Sequence, residues 1–179
     1  MDRYRLVKLV EWADQLRTRK RLQKVVYLLK AGGCPFDVDF TLHHYGPYSH
    51  ELAQLVDEMV GVDLLKEEAE PNMMAGRSFW YRLSESAREQ LAQLNQEADR
   101  LEGIDEFDRF ESLAKQLLKE PSLKRLEYGA TVAYFRKQGK SWEEAQQAAA
   151  KFKNQDPGSI TMREAEKLAR EVLAEGAAG

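Results

Sequence analysis

A single cysteine, Cys34, stands in a chain of 179 residues, so no internal disulfide and no thiolate zinc core can form. No apolar run approaches the ~18 residues needed to cross a bilayer, and Met1-Asp2-Arg3-Tyr4 is not followed by the apolar core of a signal peptide. A cytoplasmic protein with no membrane partner is the expectation. The chain also has no Gly-x-Ser-x-Gly elbow, no phosphate-cradling glycine loop and no dinucleotide fingerprint. Its three histidines, His43, His44 and His50, include no His-x3-His pair. Neighbours on a strand point to opposite faces, so His43 and His44 do not easily share an ion. The expected state is one packed and one surface histidine, with no metal, no cofactor and no catalytic residues.

Basic residues are missing from one block. Residues 34–62 hold no Lys or Arg against five acids, whereas residues 1–33 hold nine Lys/Arg against three acids. The stretch 85–120 is acidic again, with ten acids against five bases. Overall the formal charge is only −3, and hydrophobic residues at 43% fit a folded soluble chain. The distribution of charge, more than its sum, bears on partners.

Apolar spacing predicts a first helix capped at Asp2, with Leu6, Leu9, Val10, Ala13 and Leu16 on its buried face. Thr18 caps a second, with Leu22, Val25, Val26 and Leu29 inside and Gly32-Gly33 at its end. Phe36 to Leu42 alternates with period two and reads as a short strand. Tyr45-Gly46-Pro47-Tyr48-Ser49 reads as a turn, Pro47 fitting the first turn of the helix that follows. Leu52, Leu55, Val56, Met59 and Val60 form the stripe of that third helix.

Leu64–Ala69 and Ser78–Leu83 read as strands joined by a hairpin loop at Pro71–Gly76, with Met73-Met74 at its tip as an adaptable contact. Ser84 caps a fourth helix with Leu91, Leu94, Ala98 and Leu101 on one face. In Phe79-Trp80-Tyr81, Trp80 lies opposite its neighbours, and the C-terminal helices or a second subunit would cover the spare face. The rest is helical: a stripe from Phe107 to Leu118, another opened by Pro121, and capping boxes at Ser141–Glu144 and Thr161–Glu164. The last helix buries Ala165, Leu168, Ala169 and Val172. Three helices, a small strand and a hairpin before a fourth helix give an α+β, mostly α fold. The expected architecture is a winged-helix-like N-terminal module, residues 1–103, with its β-hairpin wing, and a C-terminal helical region, 104–179, packed on it.

At RLQKVVYLLKAGG, HHYGPYSHELAQL and LEYGATVAYFRKQGKSWEEA the chain resembles the YwgA-like family of bacterial and archaeal proteins. Leu22-Gln23-Lys24, Tyr45 to Ser49, and Leu126-Glu127, Ala130-Thr131 and Tyr134 carry the resemblance. More remotely, the Leu-Gln-Lys and Gly-Pro pair is similar to the Panacea domain of antitoxins and of a proteolytic-adaptor antitoxin, although the sequence after Gly-Pro differs. That remote likeness implies toxin neutralisation or adaptor work. The nearer family carries no activity with it.

A groove-reading third helix needs cations, and here it presents Glu51, Asp57 and Glu58. The bases sit one helix earlier, at Arg17, Arg19, Lys20, Arg21 and Lys24, where a solvated face is the plain expectation. Ser49 after Gly-Pro-Tyr is a helix cap before it is a nucleophile. The expected function is therefore a non-enzymatic protein-interaction module, antitoxin-like or adaptor-like, whose partner is another protein. A winged-helix DNA-binding transcriptional regulator is the alternative, DNA being disfavoured by the acidic helix, and a homodimer is open. The candidate contact residues are Arg19, Lys20, Gln23, Lys24, Tyr27, Tyr45, Gly46, Pro47, Tyr48 and Ser49, with Tyr45 and Tyr48 either forming a shallow pocket with Tyr27 and Lys24 or simply locking two helices together.

Overall fold

A computed structural model describes residues 2–70, 78–96 and 104–175. Within them the chain is mostly helical with two small antiparallel sheets. Helix α1 spans Asp2–Ala13, and Leu6, Leu9 and Val10 are buried as their spacing requires. The helix stops before Leu16: Asp14 takes φ 58°, a left-handed conformation that ends the turn pattern. Leu16 is still buried, but from a two-residue strand, β1 (Leu16–Arg17), that the sequence did not announce. Thr18, at φ 62°, then caps α2 (Arg19–Ala31) by accepting the Arg21 N–H.

Residues 32–40 run without regular structure, so the strand expected at Phe36–Leu42 is displaced. Alternation there serves a buried but irregular segment in which Phe36 and Val38 point inward and Asp2 Oδ2 accepts the Asp37 N–H at 3.0 Å. The strand proper is β2 (Thr41–His43), paired with β3 (Gly46–Tyr48) in the register His43↔Gly46 and Thr41↔Tyr48. The Gly-Pro segment is thus a strand, and the turn is His44-Tyr45. A two-residue hairpin needs unusual backbone just where it closes, and Gly46 at φ 86° supplies it. Helix α3 (His50–Gly61) follows, and its N-cap is Ser49, as expected.

Strands β4 (Leu65–Glu70) and β5 (Ser78–Leu83) pair antiparallel, and β1 adds to the other edge of β5, giving the order β1-β5-β4. Tyr81 points into the core and is fully buried. Trp80 faces the other way, and the Arg17 guanidinium, directly across the ladder, lies 4.0 Å from its ring centroid. The loop expected at 71–76, with Met73-Met74, lies outside the described residues, as do Ala98 and Leu101. Helix α4 (Glu85–Gln96) is capped by Ser84 and buries Leu91, but Leu94 is exposed.

The C-terminal region comprises α5 (Ile104–Asp108), α6 (Glu111–Lys119), α7 (Leu123–Lys137), α8 (Trp142–Phe152) and α9 (Ile160–Glu175). The Ser141–Glu144 capping box forms. That at Thr161–Glu164 does not, because α9 starts two residues earlier and the Ser159 hydroxyl accepts the Met162 N–H. Helix α7 is the centre of the molecule. It packs on α9, α8, α2 and β3, approaching α9 so closely that a Cβ on Gly129 would stand 2.9 Å from Leu168. Buried residues from Leu6 to Val172 form one hydrophobic cluster.

Candidate functional site

Three sequence segments meet where α2, the β2–β3 hairpin and α7 touch. Gln23 faces the Ser49 backbone and bonds it twice: Nε2 donates to the carbonyl and Oε1 accepts the N–H, both at 2.8 Å. One residue on, Lys24 Nζ donates to the Pro47 carbonyl at 2.6 Å. From the opposite side, Thr131 and Glu127 of α7 press on the strand at Gly46. The Ser49 hydroxyl, itself buried, accepts the Leu52 N–H, the ordinary work of a cap.

Around Glu127 lie three lysines. Lys153 of α8 bonds one carboxylate oxygen at 2.6 Å and Lys20 of α2 the other at 2.9 Å. Lys153 also donates to the His44 carbonyl at 3.1 Å, and the Lys20 ammonium sits 3.9 Å from the Tyr45 ring centroid. Both ends of the hairpin turn are therefore held by cations that Glu127 fixes in place. Burial by itself would raise the Glu127 carboxyl, but the bonds from Lys153 and Lys20 hold it below the usual range. Lys24 has no such compensation. Burial, with Lys153 and Lys20 nearby and Glu127 opposing only in part, drops its ammonium to about 8. Lys153 is lowered too, by burial that its bond to Glu127 partly offsets.

The expected contact residues divide on exposure. Gln23, Lys24, Gly46, Pro47 and Ser49 are buried supports. Tyr27 is buried as well, its ring against Phe40 at 5.1 Å and Tyr134 at 6.1 Å, so the shallow pocket expected with Tyr45 and Tyr48 is not how these side chains are used. What faces outward is Tyr45, 58% exposed, with Tyr48 half-buried. The histidines join them, and neither His43 nor His44 is packed away. His43, Tyr48 and His50 form a ring cluster with centroids 5.0–5.5 Å apart, and His44 lies 4.9 Å from Tyr45 on the other side of the tip.

Arg19 does not belong to this site. Its guanidinium bridges to Tyr81 Oη at 2.7 Å, Glu67 at 2.9 Å and Asp57 at 2.6 Å, bolting α2 to α3 and the sheet. Burial opposes its charge, but these three bonds raise its pKa further. Nor is the basic helix a solvated face. Arg21 donates to the Leu118 and Glu120 carbonyls at the end of α6, Lys30 to the Val38 carbonyl at 2.7 Å, and Lys24 is only 2% exposed. On α3, Asp57 and Glu58 pair with Arg19 and Arg3. Of the opposed charges on α2 and α3, Arg19 and Asp57 meet directly, and the other cations of α2 are taken up by α7 and by backbone carbonyls.

Glu127, Thr131 and Lys153 were missed as site residues, although Glu127 and Thr131 stood in the motif of the third segment. No protein-family model matches the chain. It is 35% identical over 80 residues to a protein of Bacillus subtilis (strain 168) described as "Uncharacterized protein YwgA". Over those residues the chain is similar to YwgA. The match takes in 45% of this chain and 46% of that protein, so it spans about half the length of the curated relative. Among the described residues, no group of three or more His, Cys, Asp or Glu is placed to hold a metal, and no helix is long and apolar enough to cross a membrane.

Proposed function

We propose that this chain is a non-enzymatic protein-interaction module, antitoxin-like or adaptor-like, that recognises another protein through the tip of its β2–β3 hairpin. The observation that carries the reading is an exposed set of rings on a rigid mount. Tyr45, His44, His43, Tyr48 and His50 face solvent to differing degrees, while Gln23, Lys24 and Lys153 fix the backbone beneath them. Tyrosine and histidine offer a wide apolar face with a polar edge, and preorganised backbone lowers the ordering cost of binding.

A photo-crosslinking residue at position 45, in the native host, tests this against the same residue at exposed position 94. A discrete adduct at 45 that Tyr48→Ala abolishes is expected. An adduct pattern at 45 no different from that at 94 would sink the reading.

One observation favours the DNA-binding alternative. The order α1-β1-α2-β2-β3-α3-β4-β5, with β5 between β1 and β4 and the β2–β3 hairpin as an insertion, supports a winged-helix-like frame, whose third helix commonly enters the major groove. Against it stands the outer face of α3, where Glu51, Asp57 and Glu58 are exposed and no Lys or Arg occurs. Titration with duplex DNA at low salt separates the two. Affinity tighter than ~10⁻⁴ M with a steep salt slope would revive the regulator.

A further inference from the structure

Away from the hairpin, where α2 and α7 end against α9, the surface opens into a cleft of about 780 Å³. Its lining residue Arg136 lies nine residues along α7 from Glu127, about 13 Å by helical rise, and no residue of the site above lines it. Ala31 and Leu173 give the cleft an apolar wall. Trp142, at the start of α8, holds two guanidinium groups at its mouth: Arg170 lies 4.5 Å and Arg136 5.3 Å from its ring centroid. Lys137 is the third cation of the lining, and among the described residues no acidic side chain lines the cleft.

Part of this charge has a plain explanation. Arg136 and Lys137 occupy the last turn of α7, where cations complement the helix dipole. Two helix ends supply about −0.5 charge each, roughly −1 together, against three cations. Glu166 bonds Arg170 at 2.7 Å and removes one more. Among the described residues, neither Arg136 nor Lys137 has an acidic partner. An excess of positive charge remains: Arg170 keeps one edge on Glu166 and Arg136 Nη1 donates to the Lys140 carbonyl at 2.7 Å, and the remaining N–H groups of both guanidiniums, already held against a ring, are left for a planar anion.

We infer that this cleft binds a small organic anion with a flat apolar body, an aromatic carboxylate being the simplest member. Its carboxylate is received by the Arg136 and Arg170 guanidiniums, and its ring lies along the Ala31 and Leu173 wall. A neutral aromatic lacks the charge the rim requires. Inorganic phosphate lacks the ring the wall accommodates.

Nuclear magnetic resonance of the three tryptophan indole N–H groups, with Trp142 assigned through Trp142→Phe, provides the test on the full chain. The probes are 1-naphthoate, 1-naphthamide and inorganic phosphate. Expected is a saturable shift of the Trp142 signal by naphthoate, with a Kd on the order of 1 mM or tighter. Naphthamide and phosphate should bind at least ~10-fold more weakly, the usual loss when a rim charge goes unpaired. Arg136→Gln and Arg170→Gln should each weaken naphthoate ~5-fold or more. Lys137→Gln, at an exposed position, gives a second variant free of folding effects and should weaken naphthoate in the same direction. An unmoved Trp142, naphthamide or phosphate binding as tightly as naphthoate, or naphthoate binding unaffected by all three substitutions, overturns the inference.

Discussion

Gly46 lies so close to Thr131 that a Cβ on the glycine would stand 2.7 Å from the threonine Oγ1. The threonine hydroxyl is committed to the Glu127 carbonyl at 2.8 Å and does not swing away without losing that bond. The hairpin is therefore seated on α7 by the absence of a side chain. The C-terminal region thereby helps define the surface of the β2–β3 hairpin.

Gly46→Ala should destabilise the protein by about 2–4 kcal/mol, combining a left-handed backbone at φ 86° with overpacking. Thr131→Ala removes the nearest clashing atom, so the double variant should cost at least about 1 kcal/mol less than the sum of the two. Urea unfolding of the four proteins measures the coupling. Strict additivity would mean that the contact is not what constrains Gly46.

Glu127→Gln should cost on the order of 3 kcal/mol, because it leaves Lys153, 4% exposed, without its counter-charge beside two other lysines. Lys20→Met should cost under about 1 kcal/mol, since that side chain is a third exposed and screened by water. Combining Glu127→Gln with Lys153→Met should recover part of the loss. Equal effects of Glu127→Gln and Lys20→Met would refute the keystone role of the carboxylate.

Lys24 gives a pH signature. Folded, its ammonium releases a proton near 8, whereas the unfolded chain holds it to about 10.5. Between those values the unfolded state binds more protons, so this group makes stability rise with pH. Below about 8 both states are charged and the burial cost is fully present. Relative to Lys24→Met, the wild type should gain on the order of 1–2 kcal/mol between pH 7 and about 9.5. Parallel stability curves for the two proteins over that range would show that Lys24 does not titrate there.

Tyr45→Ala should leave stability within about 1 kcal/mol of wild type, because an exposed ring over Lys20 contributes little. Its effect should fall on partner capture at position 48 by crosslinking. A large loss of melting temperature with normal capture would assign Tyr45 to packing alone.

Helical faces were legible because burial repeats every three to four residues within a single segment. Leu6, Leu9 and Val10, or Ala165, Leu168 and Val172, need no distant partner to declare themselves. The caps at Thr18, Ser49, Ser84 and Ser141 were legible for the same reason, their acceptors and donors being three residues apart. Leu16 and the Gly-Pro strand were not, since β1 is defined by Tyr81 and Trp80, more than sixty residues on, and Gly46 by Thr131.

What the sequence determined by itself, then, is local: the helices, their buried faces, their caps, and the three segments that carry the YwgA-like resemblance. Tertiary structure decided the fate of the charges. Arg19 and Lys20 look alike in sequence, yet one bolts α2 to the sheet and the other holds a tyrosine at the hairpin tip. A charge takes its role from whatever lies within a few ångströms, and in a folded chain those neighbours come from anywhere along it.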